Sequence, residues 1–249
     1  MEPFDPVKLA KETEKLVGKG SMRKYTDFYP TGVYGGIVTG YTCGCCLRCF
    51  FCWVDWSRDF PERYGRFYSP EEAFKKLSKA GRGIDKVRIS GAEPTLCKDH
   101  LLALLDLIEH SRFKLFILET NGILFGVDEN YVKKISRFKK VHVRVSLKAG
   151  TKEDFTRKTG AVGESFEIPF KAIKYLKRHG CSFHVAAMSA DPRIMSPQER
   201  VSLHRKLAEI DKNLVENLEE EVVDPYQTTL ERLKHAGCKL EWPLKRIYK

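Results

Sequence analysis

Six short β-like runs alternate with helical patterns along most of this chain, and that rhythm restricts the fold more than any other feature. The runs are "YGGIVTGYT" (34–42), "KVRISG" (86–91), "KLFILETNG" (114–122), "VHVRVSLKA" (141–149), "SFHVAAMSA" (182–190) and the weaker "NLEEEVV" (217–223). Helical patterns fall near 70–80, 98–111, 128–138, 164–179, 197–210 and 225–236. Strands alternating with helices imply βαβ units on a parallel sheet. About six units are too few for a closed eight-fold barrel. The expected architecture is therefore α/β, a partial, open (βα)6 barrel, with a doubly wound sheet as the alternative. Three helix starts are well specified: Ser69 in "SPEE", Ser196 in "SPQE" and Asp224 in "DPYQ" each supply an N-cap, a first-turn Pro, and Glu or Gln at the third position.

The fourth run adds detail. Val141, Val143 and Val145 alternate with His142, Arg144, Ser146 and Lys148, so one face is apolar and the other polar. The second run repeats this, with Val87 and Ile89 against Lys86, Arg88 and Ser90. Helices should cover the apolar face. A filled barrel carries bulky branched residues inside, so polar ones point to a cavity for a charged ligand. The competing reading is an edge of the sheet with one face in water.

Composition excludes a few classes. With 42% hydrophobic and 31% charged residues over 249 positions, the chain reads as globular rather than disordered. Apolar stretches such as "LLALLDLIEH" are amphipathic and shorter than the ~20 residues of a membrane span. The start, "MEPFDPVKLAKETEK", lacks the apolar segment of a signal peptide. No membrane association and a cytoplasmic location are expected, and there thiols stay reduced. The net charge of +11 favours a polyanionic partner, but its Lys and Arg scatter over helix surfaces rather than forming one stripe.

"YTCGCCLRCFFCWV" (41–54) holds five of the eight cysteines. In a reducing compartment such clustering signals metal or redox chemistry rather than disulfides. Three ligand sets compete. Cys43, Cys46, Cys49 and Cys52 form two CxxC pairs suited to zinc, although the two residues between the pairs are a short loop for tetrahedral closure. The same four give C-x2-C-x2-C-x2-C, close to a ferredoxin pattern but lacking its x3 spacing and Cys-Pro ending. Cys45, Cys49 and Cys52 instead give C-x3-C-x2-C, three thiolates that can leave one iron of a [4Fe–4S] cube open to an outside ligand.

The third pattern, with Leu47, Arg48 and Phe51 inside it, resembles the radical S-adenosylmethionine (SAM) enzymes, whose common form is C-N-L-R-C-x-aromatic-C. Further segments follow in the order that family requires. "ISGAEPT" (89–95) resembles its G-G-E-P, with Ala92 for the second Gly; "LETNGIL" (118–124) resembles its T-N-G; "VSLKAG" (145–150) resembles the S-x-K-G of a subgroup; and "FTRKTGA" (155–161) is similar to the loop after that strand. The resemblance spans roughly residues 34–225. It implies a [4Fe–4S] cluster on Cys45, Cys49 and Cys52. It also implies SAM held by Gly91, Ala92 and Glu93 at its amino group, by Asn121, and by Ser146 and Lys148 at the ribose and carboxylate, with Phe51 near the adenine and Met188 lining the pocket. His142, His184 and Arg144 are weaker candidates. The implied chemistry is reductive cleavage of SAM to a 5′-deoxyadenosyl radical that takes hydrogen from a substrate, with an electron donor of the flavodoxin or ferredoxin type. The compact form resembles the glycyl-radical activating enzymes, and "VSLKAG…TRKTG" resembles the archaeal wybutosine-synthase-like branch. A protein, a tRNA or a small molecule is thus the implied substrate class. Cys46 stands where the family has Asn, and Cys43 precedes the pattern; both are spare thiols or rescue ligands. The rival class is a non-enzymatic Fe–S electron carrier or a zinc- or RNA-binding protein. The expected organisation is a helical extension over 1–33, the barrel core over 34–238 and a tail over 239–249 that contacts substrate or caps the barrel.

Overall fold

The computed structural model describes residues 2–238 and 240. Among them one sheet runs through β1 (Gly18–Lys19), β2 (Met22–Thr31), β3 (Ile37–Thr42), β4 (Arg66–Tyr68), β5 (Lys86–Gly91), β6 (Leu115–Thr120), β7 (Val141–Leu147), β8 (Ser182–Ala187) and β9 (Glu219–Glu220). The helices are α1 (Pro6–Val17), α2 (Pro70–Ala80), α3 (Lys98–Glu109), α4 (Ile123–Val127), α5 (Glu129–Ile135), α6 (Lys152–Thr159), α7 (Ile168–Arg178), α8 (Pro197–Ile210), α9 (Asn213–Glu216) and α10 (Gln227–His235). Strands β3, β5, β6, β7, β8 and β9 are parallel neighbours in that order. They form an open (βα)6 partial barrel whose two ends do not pair with each other among the described residues. No described helix is long and apolar enough to cross a membrane.

The alternation in sequence sets which face is which. Val87, Phe116, Leu118, Val143 and Val145 are fully buried in the core beneath the helices, where they meet residues such as Leu77, Leu104 and Ile173. Burying each such side chain contributes ~1.5–3 kcal/mol. The opposite face carries Arg88, Ser90, Arg144 and Ser146 toward the barrel interior, as a polar-lined cavity requires. Helix packing is close enough to demand a glycine: a Cβ on Gly126 of α4 would lie 2.0 Å from the Ile168 carbonyl oxygen at the start of α7.

Local expectations were met unevenly. Ser69 forms a full capping box, accepting from Glu72 N at 3.2 Å while Glu72 accepts from Ser69 N at 2.8 Å. Ser196 accepts from Glu199 N at 3.2 Å, but the Glu199 carboxylate turns inward to Lys158 instead of closing the box. Asp224 caps nothing: α10 begins at Gln227 with Tyr226 as its N-cap, because the helix is set by bonds to the cysteine loop. The segment "FTRKTGA" is not a loop. Most of it is α6, started by Thr151 accepting from Asp154 N and ended by Gly160 at φ 72°. Nor is the N-terminal extension wholly helical. After α1 the chain runs out as β2, antiparallel to β3, because Tyr25, Thr26, Phe28, Tyr29 and Thr31 are aromatic and β-branched residues that suit a pleated surface. Phe4 ties the extension to the core, its N–H donating to Gly160 O at 3.0 Å. The 239–249 tail lies outside the described residues apart from Leu240.

Candidate functional site

The cysteine loop leaves the carboxyl end of β3, where open α/β sheets bind ligands. Its first turn needs Gly44, at φ 76°, where a Cβ would press to 2.5 Å from the Thr13 methyl of α1. Backbone bonds then stitch the loop to its neighbours. Glu93 N donates to Gly44 O at 2.9 Å, Arg48 N to Thr159 O at 2.9 Å, and Phe50 N to Lys158 O at 3.1 Å. The last two carbonyls belong to the C-terminal turn of α6, so this helix positions the loop directly.

Cys45, Cys49, Cys52 and Phe51 of this loop line one cavity together with Gly91, Ala92 and Glu93 at the end of β5, Asn121 after β6, Ser146 and Lys148 at the end of β7, and Met188 after β8. The residues that the resemblance assigned to cluster and SAM therefore border the same space, as does Arg144, whereas His142 and His184 do not. Among the described residues, no three Cys, His, Asp or Glu side chains close around a single metal-ion position. Cys43 belongs to a different environment. It is buried beside Gly65 and Tyr25, away from the cavity lining, so the four-cysteine sets that include it are not assembled.

The thiols are not equivalent. A hydrogen bond from Cys46, helped by Leu47 N at 3.4 Å, draws the Cys45 thiol down to about 7. The same bond, with burial, pushes Cys46 well above the ordinary thiol range. Burial pushes Cys49 up to about 12, with Lys148 acting against it. Asn121 Nδ2 donates to Cys46 Sγ at 3.3 Å and to Cys45 Sγ at 3.6 Å, so this residue faces sulfur. Glu93 also differs from expectation. Its carboxylate, in a residue only 2% exposed, accepts from Thr95 N at 3.1 Å, Thr95 Oγ1 at 2.6 Å, Thr120 Oγ1 at 2.7 Å and Asn121 N at 2.9 Å. So many donors occupy it as a brace between the β5 and β6 ends rather than leaving it free for an ammonium. Lys148 Nζ donates to Ser146 Oγ at 2.6 Å, presenting a cation and a hydroxyl side by side.

Toward the outside the cavity shares Trp53, Val54, Glu119, Arg144 and Glu221 with a wider mouth walled by Tyr29, Tyr34, Tyr41 and Tyr226. Arg88 pairs with Glu119 at 2.8 Å, and Arg144 pairs with Glu219 at 2.9 Å and Glu221 at 2.6 Å. Burial alone would raise Glu119, but Arg88 and Arg144 outweigh it and hold the carboxyl below its usual range. His142 and His184 stack at 4.9 Å, and His184 Nε2 meets Glu219 at 2.7 Å; neither histidine borders the inner cavity. Sequence reasoning missed Arg58, Asp59 and Arg232. Arg58 also lines the cavity, and no local pattern around these residues announced them.

Comparison with known proteins gives concordant results. The profile of the Radical SAM superfamily matches residues 40–189. A probable GTP 3′,8-cyclase of Methanococcus maripaludis is 33% identical over 131 residues, 52% of this chain and 41% of the relative. One of Archaeoglobus fulgidus is 33% identical over 133 residues, again covering 41% of its length. The chain thus spans about two fifths of the curated relatives it matches. Among solved structures, native anSMEcpe with bound AdoMet aligns with a TM-score of 0.53 at 21% identity, covering 72% of this chain and 49% of that one. Streptococcus suis SuiB aligns at 0.50 with 18% identity, covering 83% and 41%. Both share the fold.

Proposed function

This chain belongs to the radical SAM superfamily and is an enzyme whose cofactors are a [4Fe–4S] cluster and SAM, and we propose that it cleaves SAM reductively to start hydrogen abstraction from a substrate held at the cavity mouth. One observation carries the reading: the three cysteines of the C-x3-C-x2-C pattern and the ends of β5, β6, β7 and β8 border a single cavity. When bound, cluster and SAM together supply one-electron cleavage of the sulfonium to methionine and a 5′-deoxyadenosyl radical.

The residues fit that use. Cys45, Cys49 and Cys52 would hold iron as thiolates, three protein ligands for a four-iron cluster. Lys148 and Ser146 would meet the SAM carboxylate and ribose. The backbone of Gly91 and Ala92 meets its amino group, and Glu93 keeps that backbone in place by bracing it against Thr120 and Asn121. Phe51, 5% exposed, and Met188 both line the pocket, and Phe51 would pack at the adenine. Trp53 and Tyr226, their rings 6.4 Å apart at the mouth, are placed to exclude water once substrate covers them. The reductant is of the flavodoxin or ferredoxin type. A nucleotide, a tRNA or a protein backbone is the substrate class, and the cyclase names of the relatives support the first. In this reading residues 34–238 form the catalytic core, 1–33 an extension and 239–249 a tail, and the enzyme works in the cytosol.

Anaerobic reconstitution with iron and sulfide, followed by dithionite and SAM, tests the proposal. 5′-Deoxyadenosine should form, vanish in Cys45→Ala, Cys49→Ala and Cys52→Ala, and persist in Cys43→Ala. A loaded protein that makes none overturns it.

A further inference from the structure

Three arginines each hold the backbone carbonyl of a different cysteine. Arg48 Nη1 donates to Cys45 O at 2.6 Å, Arg58 Nη1 to Cys49 O at 2.6 Å, and Arg232 Nη1 to Cys52 O at 2.7 Å. All three guanidiniums converge on one carboxylate. Asp59 accepts from Arg58 Nη2 at 2.6 Å and from Arg232 Nη2 at 2.7 Å, and Arg48 Nε lies 3.7 Å from it. Arg58 and Arg232 are 4% and 6% exposed, so these charge-assisted bonds are poorly screened by water. Arg232 also donates to Val54 O and Asp55 O, while Thr229 Oγ1 donates to Cys52 O at 3.3 Å. Helix α10 is thereby fastened to a loop more than 170 residues earlier in the chain.

We propose that Asp59 is the positioning residue of the cysteine loop: by gathering Arg48, Arg58 and Arg232 onto the carbonyls of Cys45, Cys49 and Cys52, it fixes the loop's shape and sets the charge beside the cluster. The proposal rests on the cluster assignment above. An irregular loop has no ladder to satisfy its carbonyls, so without the arginines the Cys45 carbonyl loses its donor while those of Cys49 and Cys52 keep only Cys52 N at 3.2 Å and Thr229 Oγ1 at 3.3 Å, and the loop is held less firmly. Three cations against one carboxylate leave net positive charge next to the cluster, and local charge is one of the properties that set a cluster's potential. Burial would protonate Asp59 more readily, but Arg58 and Arg232 keep the carboxyl low and hence ionised.

The test is an EPR-monitored redox titration of reconstituted wild type, Asp59→Asn and Arg58→Gln, together with the rate of iron loss to a chelator. Asparagine keeps an oxygen acceptor but removes a negative charge, so the midpoint potential should rise. Arg58→Gln removes a positive charge, so the potential should fall. Both variants should lose iron several-fold faster than wild type. A loop that is merely loosened would move both potentials the same way, and that result, or unmoved potentials, overturns the proposal. If Asp59→Asn does not load iron, Arg232→Lys decides. It keeps the cation but not the fork, so it should hold the wild-type potential and release iron faster; wild-type release sinks the clamp. A wild type that forms no [4Fe–4S] cluster sinks the cluster assignment itself, whereas a loaded wild type with unaffected variants sinks only the role of Asp59.

Discussion

Lys158 and Glu199 form an ion pair that sits almost wholly out of water, with side chains 0% and 2% exposed and Nζ 2.6 Å from Oε1. Glu199 also accepts from Gly150 N at 2.9 Å. At an effective dielectric of ~20, the attraction across that gap is about 6 kcal/mol, and it is offset by desolvation of several kcal/mol per ion. The shifts reflect this tension: burial lowers Lys158 and raises Glu199, each against the pull of its partner. Lys158→Met strands the carboxylate. Its cost is bounded by protonating Glu199 instead, at ~1.36 kcal/mol per pH unit above an unfolded value of ~4.3, which is roughly 3.7 kcal/mol at pH 7 and about 1 kcal/mol at pH 5. A carboxyl with a raised folded-state pKa contributes stability at low pH and loses it as pH rises, so the deficit should shrink on acidification. Thermal and urea unfolding at the two pH values, on Lys158→Met and on the double variant with Glu199→Gln, provide the assay. At pH 7 a Tm drop of roughly 7–15 °C is expected. Much of it should return at pH 5, and much should return in the double variant at pH 7. A deficit independent of pH, or a double variant no better than Lys158→Met, would refute the reasoning.

Three other outcomes follow from the geometry. Gly126→Ala should destabilise the fold by ~1–3 kcal/mol in urea unfolding, since its Cβ would meet the Ile168 backbone of α7. Cys46→Ser should leave the iron content of reconstituted protein at the wild-type ratio, because Cys46 touches Asn121 and Cys45 without bordering the cavity; loss of iron would make it a ligand. Glu219 is held down at about 2 by its hydrogen bond with His184 and then by Arg144. Its contribution is present above the unfolded value of ~4.3 and lost as pH falls toward 2, so Glu219→Gln should flatten that limb of the acid-unfolding curve.

What sequence disclosed and what it hid divide along chain distance. The apolar alternation of Val141, Val143 and Val145, the C-x3-C-x2-C pattern and the motifs ending β5, β6 and β7 are local, so short windows carried both the strand pattern of the open barrel and the family resemblance that implied the residues now found around its cavity. Helix α6 was legible too, through Thr151, the acidic first turn and Gly160, but its resemblance to a loop segment masked those signals. The Asp59 cluster had no such chance. Arg232 meets Asp59 across 173 residues, and only the return of α10 over the cysteine loop joins them. Glu93 shows a subtler limit: its motif marked the position and its neighbour Thr95 supplies two donors locally, while the other two come from Thr120 and Asn121, which only the parallel pairing of β5 and β6 brings near.

The central claim is that Cys45, Cys49 and Cys52 carry a cluster with one iron left for SAM. The EPR spectrum of the dithionite-reduced, reconstituted protein, recorded before and after SAM is added, tests it most directly. A [4Fe–4S]+ signal whose g-values change on adding SAM, both in wild type and in Cys43→Ala, is the expected result. A cluster signal that SAM leaves unchanged, or one that disappears with Cys43→Ala, would contradict the claim.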